Sequence, residues 1–312
     1  MKQFPLIEYR KVYFIFSGIL VTASIIALFV WGLKPGIDFT GGTSIEVSFS
    51  SKRPSTEEVK KALETLALGE IAVSPVAENS FTIRTKPLEN KDHDALIAQL
   101  QKTFTKDPKQ PSVTEQQFET VGPVIGSELR RKTIWAIILA ILGIVLLITW
   151  SFRKVSYPVK SWKYGVATIV ALVHDVMIPT GAFAILGKLY GFEANALLVV
   201  ALLTILGFSV HDTIVVFDRT RENLLKHRNM GFAQVVNQSL NETLVRSINT
   251  SVTLVLILAT MLVFGGETIR DFILTLLIGV IFGTYSSIFV ASPLLVEWYE
   301  RGQRGKVLGS RR

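Results

Sequence analysis

Two His-Asp pairs are the residues of this chain whose chemistry best suits proton transfer, and both fall inside long apolar runs. They are His174 with Asp175 and His211 with Asp212. A carboxylate in the hydrocarbon region of a bilayer is disfavoured by roughly 2.5–3.5 kcal/mol on insertion scales, so acidic residues there are rare and usually functional. Histidine titrates near neutral pH. Both pairs are therefore candidate sites of proton exchange within a membrane.

Asp212 lies near the end of its apolar run, and Arg246 stands at the start of the next one, followed by Asn249 and Thr250. Consecutive spans meet on one side of the membrane, so Arg246 could pair with Asp212 across neighbouring helices. In a functional interpretation, the ion pair holds the carboxylate ionised and protonation releases it. In a structural interpretation, Arg246 is an interfacial anchor and Asp212 forms a static pair.

The other polar residues of the spans have less certain roles. Neighbouring side chains on a helix point about 100° apart, so His174 and Asp175 cannot face one partner together, and neither can His211 and Asp212. A secondary proton path and simple packing are both open for His174, Asp175, His211, Asn249 and Thr250. Small residues should allow close helix approach: Gly207, Ser209, Gly279, Gly283, Ser286 and Ser287.

The elements that position these residues are predicted to be membrane spans. The 312-residue chain is 49% hydrophobic and contains six apolar runs of spanning length. These runs are residues 12–33, 134–152, 164–186, 194–217, 248–264 and 272–296. The first run exceeds the ~7–15-residue core of a signal peptide and has no small-residue cleavage site, so we expect it to remain as an anchor.

Charge predicts the orientation of the spans. Basic residues concentrate before the first run, after the second, after the fourth and after the last. The positive-inside rule then places both termini in the cytoplasm and the long loop outside. The net charge of +8 is a topology signal, because no nucleic-acid-binding motif accompanies it. The chain has no cysteine and four scattered histidines, so no disulfide, thiol chemistry or metal site is predicted.

The predicted order of regions is a cytoplasmic N-terminus, a first span, an external domain, five further spans with a cytoplasmic helical loop, and a basic tail. Their bounds are 1–11, 12–33, 34–132, 133–300 with the loop at 218–247, and 301–312. The apolar spacing of the loop predicts a helix that lies on the membrane surface or packs under the bundle, or else a plain connector. The tail is expected to be disordered.

The external region has the pattern of a small α+β domain. Alternating apolar residues predict strands at 43–49, 71–76, 81–85 and 113–121. Helical spacing predicts two helices, one at 56–66 that is capped by Ser55 or Thr56 and one at 92–104. The order βαββαβ indicates a ferredoxin-like split βαβ unit, a fold with many functions.

The segment GIDFTGG, residues 36–42, connects the first span to the first strand. We interpret it as a constrained turn and hinge motif, with Gly36, Asp38, Gly41 and Gly42 as its defining residues. It does not have the form of a phosphate loop, because no lysine follows it and no helix is expected to start there.

Four segments together resemble the SecF family of bacterial Sec-translocase accessory subunits. They are GIDFTGG at 36–42, VGPVIGSEL at 121–129, GFSVHDTIVVFDRTREN at 207–223 and NETLVRSINTS at 241–251. The resemblance covers nearly the whole chain. It implies a polytopic α-helical protein of the bacterial inner membrane, with six transmembrane helices forming half of a resistance-nodulation-division-like fold and a small α+β ferredoxin-like periplasmic domain.

The same resemblance implies a non-enzymatic subunit without a cofactor, which uses the proton-motive force to promote translocation of unfolded preproteins. SecD would supply the other half, the SecYEG channel would be the working partner, and YajC would be an optional further one. In the family, an aspartate of the fourth span and an arginine opening the fifth take part in proton conduction; Asp212 and Arg246 match these positions. A further essential aspartate belongs to SecD.

Two other hypotheses compete with this one. A small-molecule or lipid exporter of the same superfamily would need a substrate cleft, for which the external domain has no motif. A structural scaffold would use its buried charges only to fix helix pairing. In the scaffold, neutral replacement of both Asp212 and Arg246 should preserve function.

Overall fold

The structure of the protein is a computed structural model. The structure describes residues 4–50, 54–66, 68–77, 79–105, 112–153 and 158–309. The first three residues of the predicted N-terminus and the last three of the predicted tail lie outside these ranges. The chain divides into two compact units. We call them the bundle (Met1–Gly32, Ala136–Ile185 and Leu197–Arg312) and the small domain (Leu33–Trp135 and Leu186–Ala196).

The described residues form α-helices joined by short connections, together with one sheet. The helices are α1 (Arg10–Trp31), α2 (Ile37–Thr40), α3 (Thr56–Leu63), α4 (Asn90–Phe104), α5 (Pro123–Ser151), α6 (Ser161–Tyr190), α7 (Ala196–Lys226), α8 (Phe232–Phe264), α9 (Arg270–Ser286) and α10 (Ser292–Gly309). The strands are β1 (Gly42–Phe49), β2 (Ala72–Ala77), β3 (Ser80–Thr85) and β4 (Val113–Val121). A π-helical stretch, Ser287–Ala291, joins α9 to α10.

The small domain has the predicted ferredoxin-like fold. Its sheet has the order β2-β3-β1-β4, and every neighbouring pair is antiparallel. Alternate side chains of a strand point to one face, so Ile45 and Val47 of β1 are fully buried together with Phe81 and Ile83 of β3. The helices α3 and α4 cover this face with four buried apolar residues: Val59, Leu63, Leu96 and Leu100.

The start of α3 is fixed by a capping box, with Ser55 rather than Thr56 as the cap. The Glu58 backbone N–H donates to Ser55 Oγ (3.2 Å), and the Ser55 backbone N–H donates to Glu58 Oε2 (2.7 Å). Two otherwise unpaired backbone donors are thereby satisfied. The hydrogen bonds from the Ser55 backbone and hydroxyl hold the pKa of Glu58 below its ordinary value.

Among the described residues, six helices are long and apolar enough to cross a membrane, which confirms the predicted number of spans. The helices nevertheless extend beyond the apolar runs. The expected connecting helix between the fourth and fifth spans is not a separate element, because α7 continues to Lys226 and α8 begins at Phe232. Hydropathy reports where a helix meets lipid, whereas the helix ends where its backbone hydrogen bonding stops.

The expectation of a disordered tail is wrong up to Gly309, because α10 continues to that residue. In the bundle, Phe232, Val236 and Leu240 at the start of α8 are buried in the same apolar core as Tyr164 and Phe217. The polar half of α8 therefore packs within the bundle, and it fixes the direction in which the next turns of α8 point.

Candidate functional site

Helix α7 carries Asp212 with its side chain buried at 8% exposure. Asp212 Oδ1 accepts a hydrogen bond of 2.6 Å from Ser247 Oγ of α8. Its second oxygen, Oδ2, has no hydrogen-bond partner among the described residues. A buried polar atom without a partner is uncommon and costly, so each one in a native structure calls for an explanation. Asp212 is thus a carboxylate with one oxygen fixed and one oxygen free.

The expected ion pair between Asp212 and Arg246 does not form in the described part of the chain. Arg246 is exposed, and its neighbour Ser247 is buried against Asp212. Because adjacent residues on a helix point about 100° apart, only one of the two can face Asp212 in a given rotation of α8. The sequence identified the correct helix turn, but the hydroxyl occupies the place expected for the guanidinium.

Arg246 instead lines an open cleft of about 570 Å³ between α5, α7 and α8. Ion pairs fix the acidic and basic residues around this cleft. Arg219 Nη1 of α7 lies 2.5 Å from Glu222 Oε2, and Arg219 Nε lies 2.5 Å from Glu242 Oε2 of α8. Asn223 Nδ2 donates to the same Glu242 oxygen (2.7 Å). This network joins α7 to α8 about two turns from Asp212 on α7 and about one turn from Ser247 on α8.

A second carboxylate, Asp175 of α6, is fully buried and has partners on both oxygens. Asp175 Oδ2 accepts hydrogen bonds from Ser286 Oγ of α9 (2.8 Å) and from Ser209 Oγ of α7. His174 Nδ1 lies 2.9 Å from Asp175 Oδ1, while His174 Nε2 has no partner in the described residues. Asp175 therefore holds three helices together at one point.

The serines around Asp175 were expected to be packing residues, and their role as hydrogen-bond donors was missed. The π-helical stretch widens the helix turn after α9 and changes the register there. Ser286 can thus reach Asp175 while the next residue, Ser287, lies 2.8 Å from Thr213 Oγ1 of α7. The consecutive serines in the sequence were the only available signal.

The predicted close helix approach is confirmed at two glycines and is wrong at a third. A Cβ atom on Gly279 would lie 2.1 Å from Ile205 Cδ1, and one on Gly283 would lie 3.2 Å from Ser209 Cβ. No atom lies within 4 Å of the corresponding position at Gly207. Close contact between α7 and α9 is what allows both Ser209 and Ser286 to reach Asp175.

The other candidate residues of the spans are not brought to Asp212. His211, Asn249 and Thr250 are exposed, and the Thr250 hydroxyl donates to the backbone oxygen of Arg246 (2.9 Å). Within the described residues, no group of three or more acidic or histidine side chains could hold a metal ion. Of the acidic candidates in the spans, Asp212 and Asp175 are therefore the two whose side chains are buried and hydrogen-bonded to neighbouring helices.

The GIDFTGG motif forms a compact junction in the small domain. Contrary to expectation, a helix does start within it, the single turn α2. Gly41 and Gly42 have φ angles of 73° and 135°, which side-chain-bearing residues rarely adopt. A Cβ on Gly41 would lie 2.9 Å from Pro123 Cα, and one on Gly42 would lie 2.9 Å from the Thr85 oxygen. Its role as a hinge stays a prediction.

The fold and these buried carboxylates define a multi-pass helical membrane protein with a ferredoxin-like domain inserted after its first span. A family model described as "Protein export membrane protein SecD/SecF, C-terminal" matches residues 100–301, and "SecD/SecF GG Motif" matches residues 26–52. The protein translocase subunit SecF of Thermobaculum terrenum is 43% identical, covering 94% of this chain and 93% of the relative. That of Anaerolinea thermophila is 36% identical, with 93% and 92% covered.

A crystal structure of SecDF, a translocon-associated membrane protein from Thermus thermophilus, superposes with a TM-score of 0.81 and 33% identity. The superposition covers 96% of this chain and 39% of the SecDF chain, so this chain spans about two fifths of that protein's length. The chain belongs to the SecF family of protein translocase subunits, which confirms the resemblance seen in the motifs.

Proposed function

We propose that this accessory subunit of Sec-dependent protein translocation uses the proton-motive force, with Asp212 as the residue that exchanges the proton. The observation that carries the proposal is the half-satisfied carboxylate: Oδ1 is held by Ser247, and Oδ2 is buried without a partner. A free carboxylate oxygen shielded from lipid can receive a proton without first breaking an existing hydrogen bond. Relatives named as protein translocase subunits support a transport role rather than catalysis.

Arg246 acts in this proposal as an alternative partner of Asp212. Arg246 and Ser247 are consecutive residues of α8, so a rotation of this helix by about 100° exchanges the hydroxyl for the guanidinium. Ion pairing with Arg246 then favours the ionised carboxylate, whereas Ser247 can donate to either form. The proposed water-accessible path to this part of α7 and α8 is the open cleft that Arg246 lines.

The partners and orientation follow the family resemblance. We propose SecD as the other half of the complex, because the solved SecDF chain includes a further region beyond the part matched here. SecYEG is the proposed working channel, YajC an optional partner, and an unfolded preprotein the substrate. The proposed topology has cytoplasmic termini and the small domain in the periplasm, within the inner membrane. We also propose that the predicted bounds of the five regions hold and that the subunit works without a cofactor.

The test is Asp212→Asn in membranes that contain SecD and SecYEG. We expect normal assembly and loss of the proton-dependent part of preprotein export by tenfold or more, because the amide cannot exchange the proton. Asp92→Asn is the control, since Asp92 is an exposed aspartate of α4 that does not line the cleft beside Arg246. Wild-type export by Asp212→Asn would contradict the proposal.

A double variant separates proton exchange from a static pair. If Asp212 and Arg246 only fixed helix pairing, Asp212→Asn combined with Arg246→Gln would restore export, because two neutral polar groups can replace a structural ion pair. We expect the double variant to stay inactive. Restored export would support the scaffold hypothesis, and flux of a lipid or drug in reconstituted vesicles would support the exporter hypothesis.

A further inference from the structure

The residues just before α7 belong to the small domain and are fixed within it by backbone hydrogen bonds. Ala194 N–H donates to the Lys34 oxygen (2.8 Å), and Gly36 N–H donates to the Ala194 oxygen (2.7 Å). Pro35 and Ala194 form a parallel bridge. The chain directly after α1 therefore pairs with the chain directly before α7, although about 160 residues separate them.

An ion pair attaches the same segment to the sheet. Arg84 of β3 contacts Glu193, and both side chains are largely shielded from solvent. Burial lowers the pKa of the Arg84 guanidinium, so its charge is costly to place there without a carboxylate. Arg84 lies opposite Ser44 of β1 in the sheet. The pair thus ties residue 193 to the centre of the small domain.

Asp38 completes the attachment at the first residue of α7. The first backbone N–H groups of a helix have no intrahelical acceptor. Asp38 Oδ2 accepts from the Ala196 N–H at 2.8 Å, and a carboxylate at this end also interacts favourably with the helix dipole. The helix that carries Asp212 is capped by an aspartate of the GIDFTGG motif.

The shape of the motif explains how Asp38 is aimed. The turn α2 holds Asp38, with Gly41 N–H donating to the Ile37 oxygen (2.8 Å). The glycine positions that follow fit closely against Pro123 and against β3. A Cβ on Gly126 of α5 would lie 2.9 Å from Gly41 N. These contacts leave little freedom for α2 to move independently of the sheet.

We propose that Asp38 and the Arg84–Glu193 ion pair fix the start of α7 on the small domain, and that proton-dependent export requires this fixed start because α7 carries Asp212. We call these residues, together with Ala194 and Ala196, the α7 junction. Asp212 lies 16 residues after Ala196 on the same helix, a distance of about 24 Å at the helical rise of 1.5 Å per residue. The requirement for a fixed start of α7 rests on the proposed function of Asp212. Asp38 is a positioning residue in this proposal, since it acts through the helix.

The test compares Asp38→Ala with Asp38→Asn in the SecD-containing complex. Asparagine caps helices as well as aspartate, whereas alanine does not. We expect backbone amides in the first turn of α7 to exchange hydrogen about 5-fold faster in Asp38→Ala, the factor that corresponds to a typical cap. Proton-dependent export should fall in the same Asp38→Ala variant. Asp38→Asn should preserve both, and Asp92→Ala, an exposed aspartate variant of α4, should match wild type in both.

The outcomes separate this proposal from that for Asp212. Asp212→Asn should lose export but keep normal exchange at the start of α7; if it exports normally, the proposed function fails while the exchange data still test the cap. Wild-type exchange or wild-type export in Asp38→Ala would overturn the α7 junction proposal. So would equal export defects in Asp38→Asn and Asp38→Ala, because the conservative variant keeps the hydrogen bond.

Charge reversal provides a test that does not depend on the stability of Asp38→Ala. Arg84→Glu and Glu193→Arg each place two like charges side by side, so each should reduce export. The double variant restores an ion pair of opposite direction and should recover most of it. A double variant no better than either single one would contradict the proposed attachment of residue 193 to the sheet.

Discussion

Asp175 and Asp212 are both carboxylates buried in the same bundle, yet their surroundings differ. Asp175 has no exposed surface, and its two oxygens contact side chains from α6, α7 and α9. Asp212 keeps 8% exposure, and in the part of the chain that the structure describes its carboxylate has one side-chain hydrogen-bond partner, Ser247. A fully satisfied buried carboxylate fixes a structure, whereas a half-satisfied one can change its partner.

The difference arises from which helices approach each residue. At Asp175, the small residues of α9 let α7 come close, so two hydroxyls converge on one oxygen. At Asp212, the neighbour is α8, which offers Ser247 to the carboxylate and directs Arg246 to a cleft. Asp175 is therefore suited to hold the bundle together, and Asp212 to respond to a rotation of α8.

The largest expected difference in stability comes from truncating each carboxylate. Asp175→Ala leaves the Ser209 hydroxyl and a histidine nitrogen without their partner, while the Ser286 hydroxyl keeps the Gly283 oxygen (3.0 Å). Each unsatisfied buried group costs about 1–3 kcal/mol. We expect a loss of about 3 kcal/mol from the free energy of unfolding for Asp175→Ala and about 1 kcal/mol for Asp212→Ala, which strands one hydroxyl. Thermal unfolding of the purified protein in detergent measures both. Equal losses would mean that the hydrogen-bond count does not distinguish the two sites.

The sequence was sufficient to predict the number of spans and the ferredoxin-like domain. A long apolar run such as residues 194–217 is required of a helix that crosses the hydrocarbon layer. Alternating apolar residues, as at 43–49, are required of a strand with one buried face. Both signals lie within short stretches of sequence, so they can be recognised without knowing the tertiary contacts. The ends of α7 and α8 were missed because polar helix turns outside a membrane have no hydropathy signal.

The details of the site could not be predicted from the sequence. Whether Arg246 or Ser247 faces Asp212 depends on the rotation of α8, which is set by the burial of Phe232 and Leu240 several turns earlier. The serine partners of Asp175 depend on the π-helical stretch, and the cap of α7 comes from Asp38, 158 residues away. Each of these features is a tertiary contact, so composition and spacing cannot specify it.

A smaller effect is expected from separating α7 and α9. Gly279→Ala adds a methyl group that would overlap Ile205, a β-branched side chain with little freedom to move. We expect Gly279→Ala to lower the free energy of unfolding by about 2 kcal/mol, as is typical of overpacking. The added methyl group should weaken the hydrogen bonds at Asp175 more than the one at Asp212. Gly207→Ala is the matched control on α7, since its methyl group meets no atom within 4 Å. If both variants unfold at the same temperature, close helix approach does not support the Asp175 site.

The smallest effect concerns a third carboxylate, Glu58, which is exposed at the start of α3. The pKa of Glu58 is lowered by hydrogen bonds from Ser55, so its stabilising contribution is present above the ordinary pKa of 4.5 and is lost as the pH falls through the lowered value. We expect hydrogen exchange in the first turn of α3 to accelerate over this acidic range.

Ser55→Ala should raise exchange about 5-fold at neutral pH and reduce the acid dependence, whereas Glu57→Gln, an exposed variant outside the cap, should resemble wild type. An unchanged acid dependence in Ser55→Ala would show that the capping box is not its origin. Effects on the bundle are expected in neither variant, because an exposed carboxylate stabilises only the helix turn that it caps.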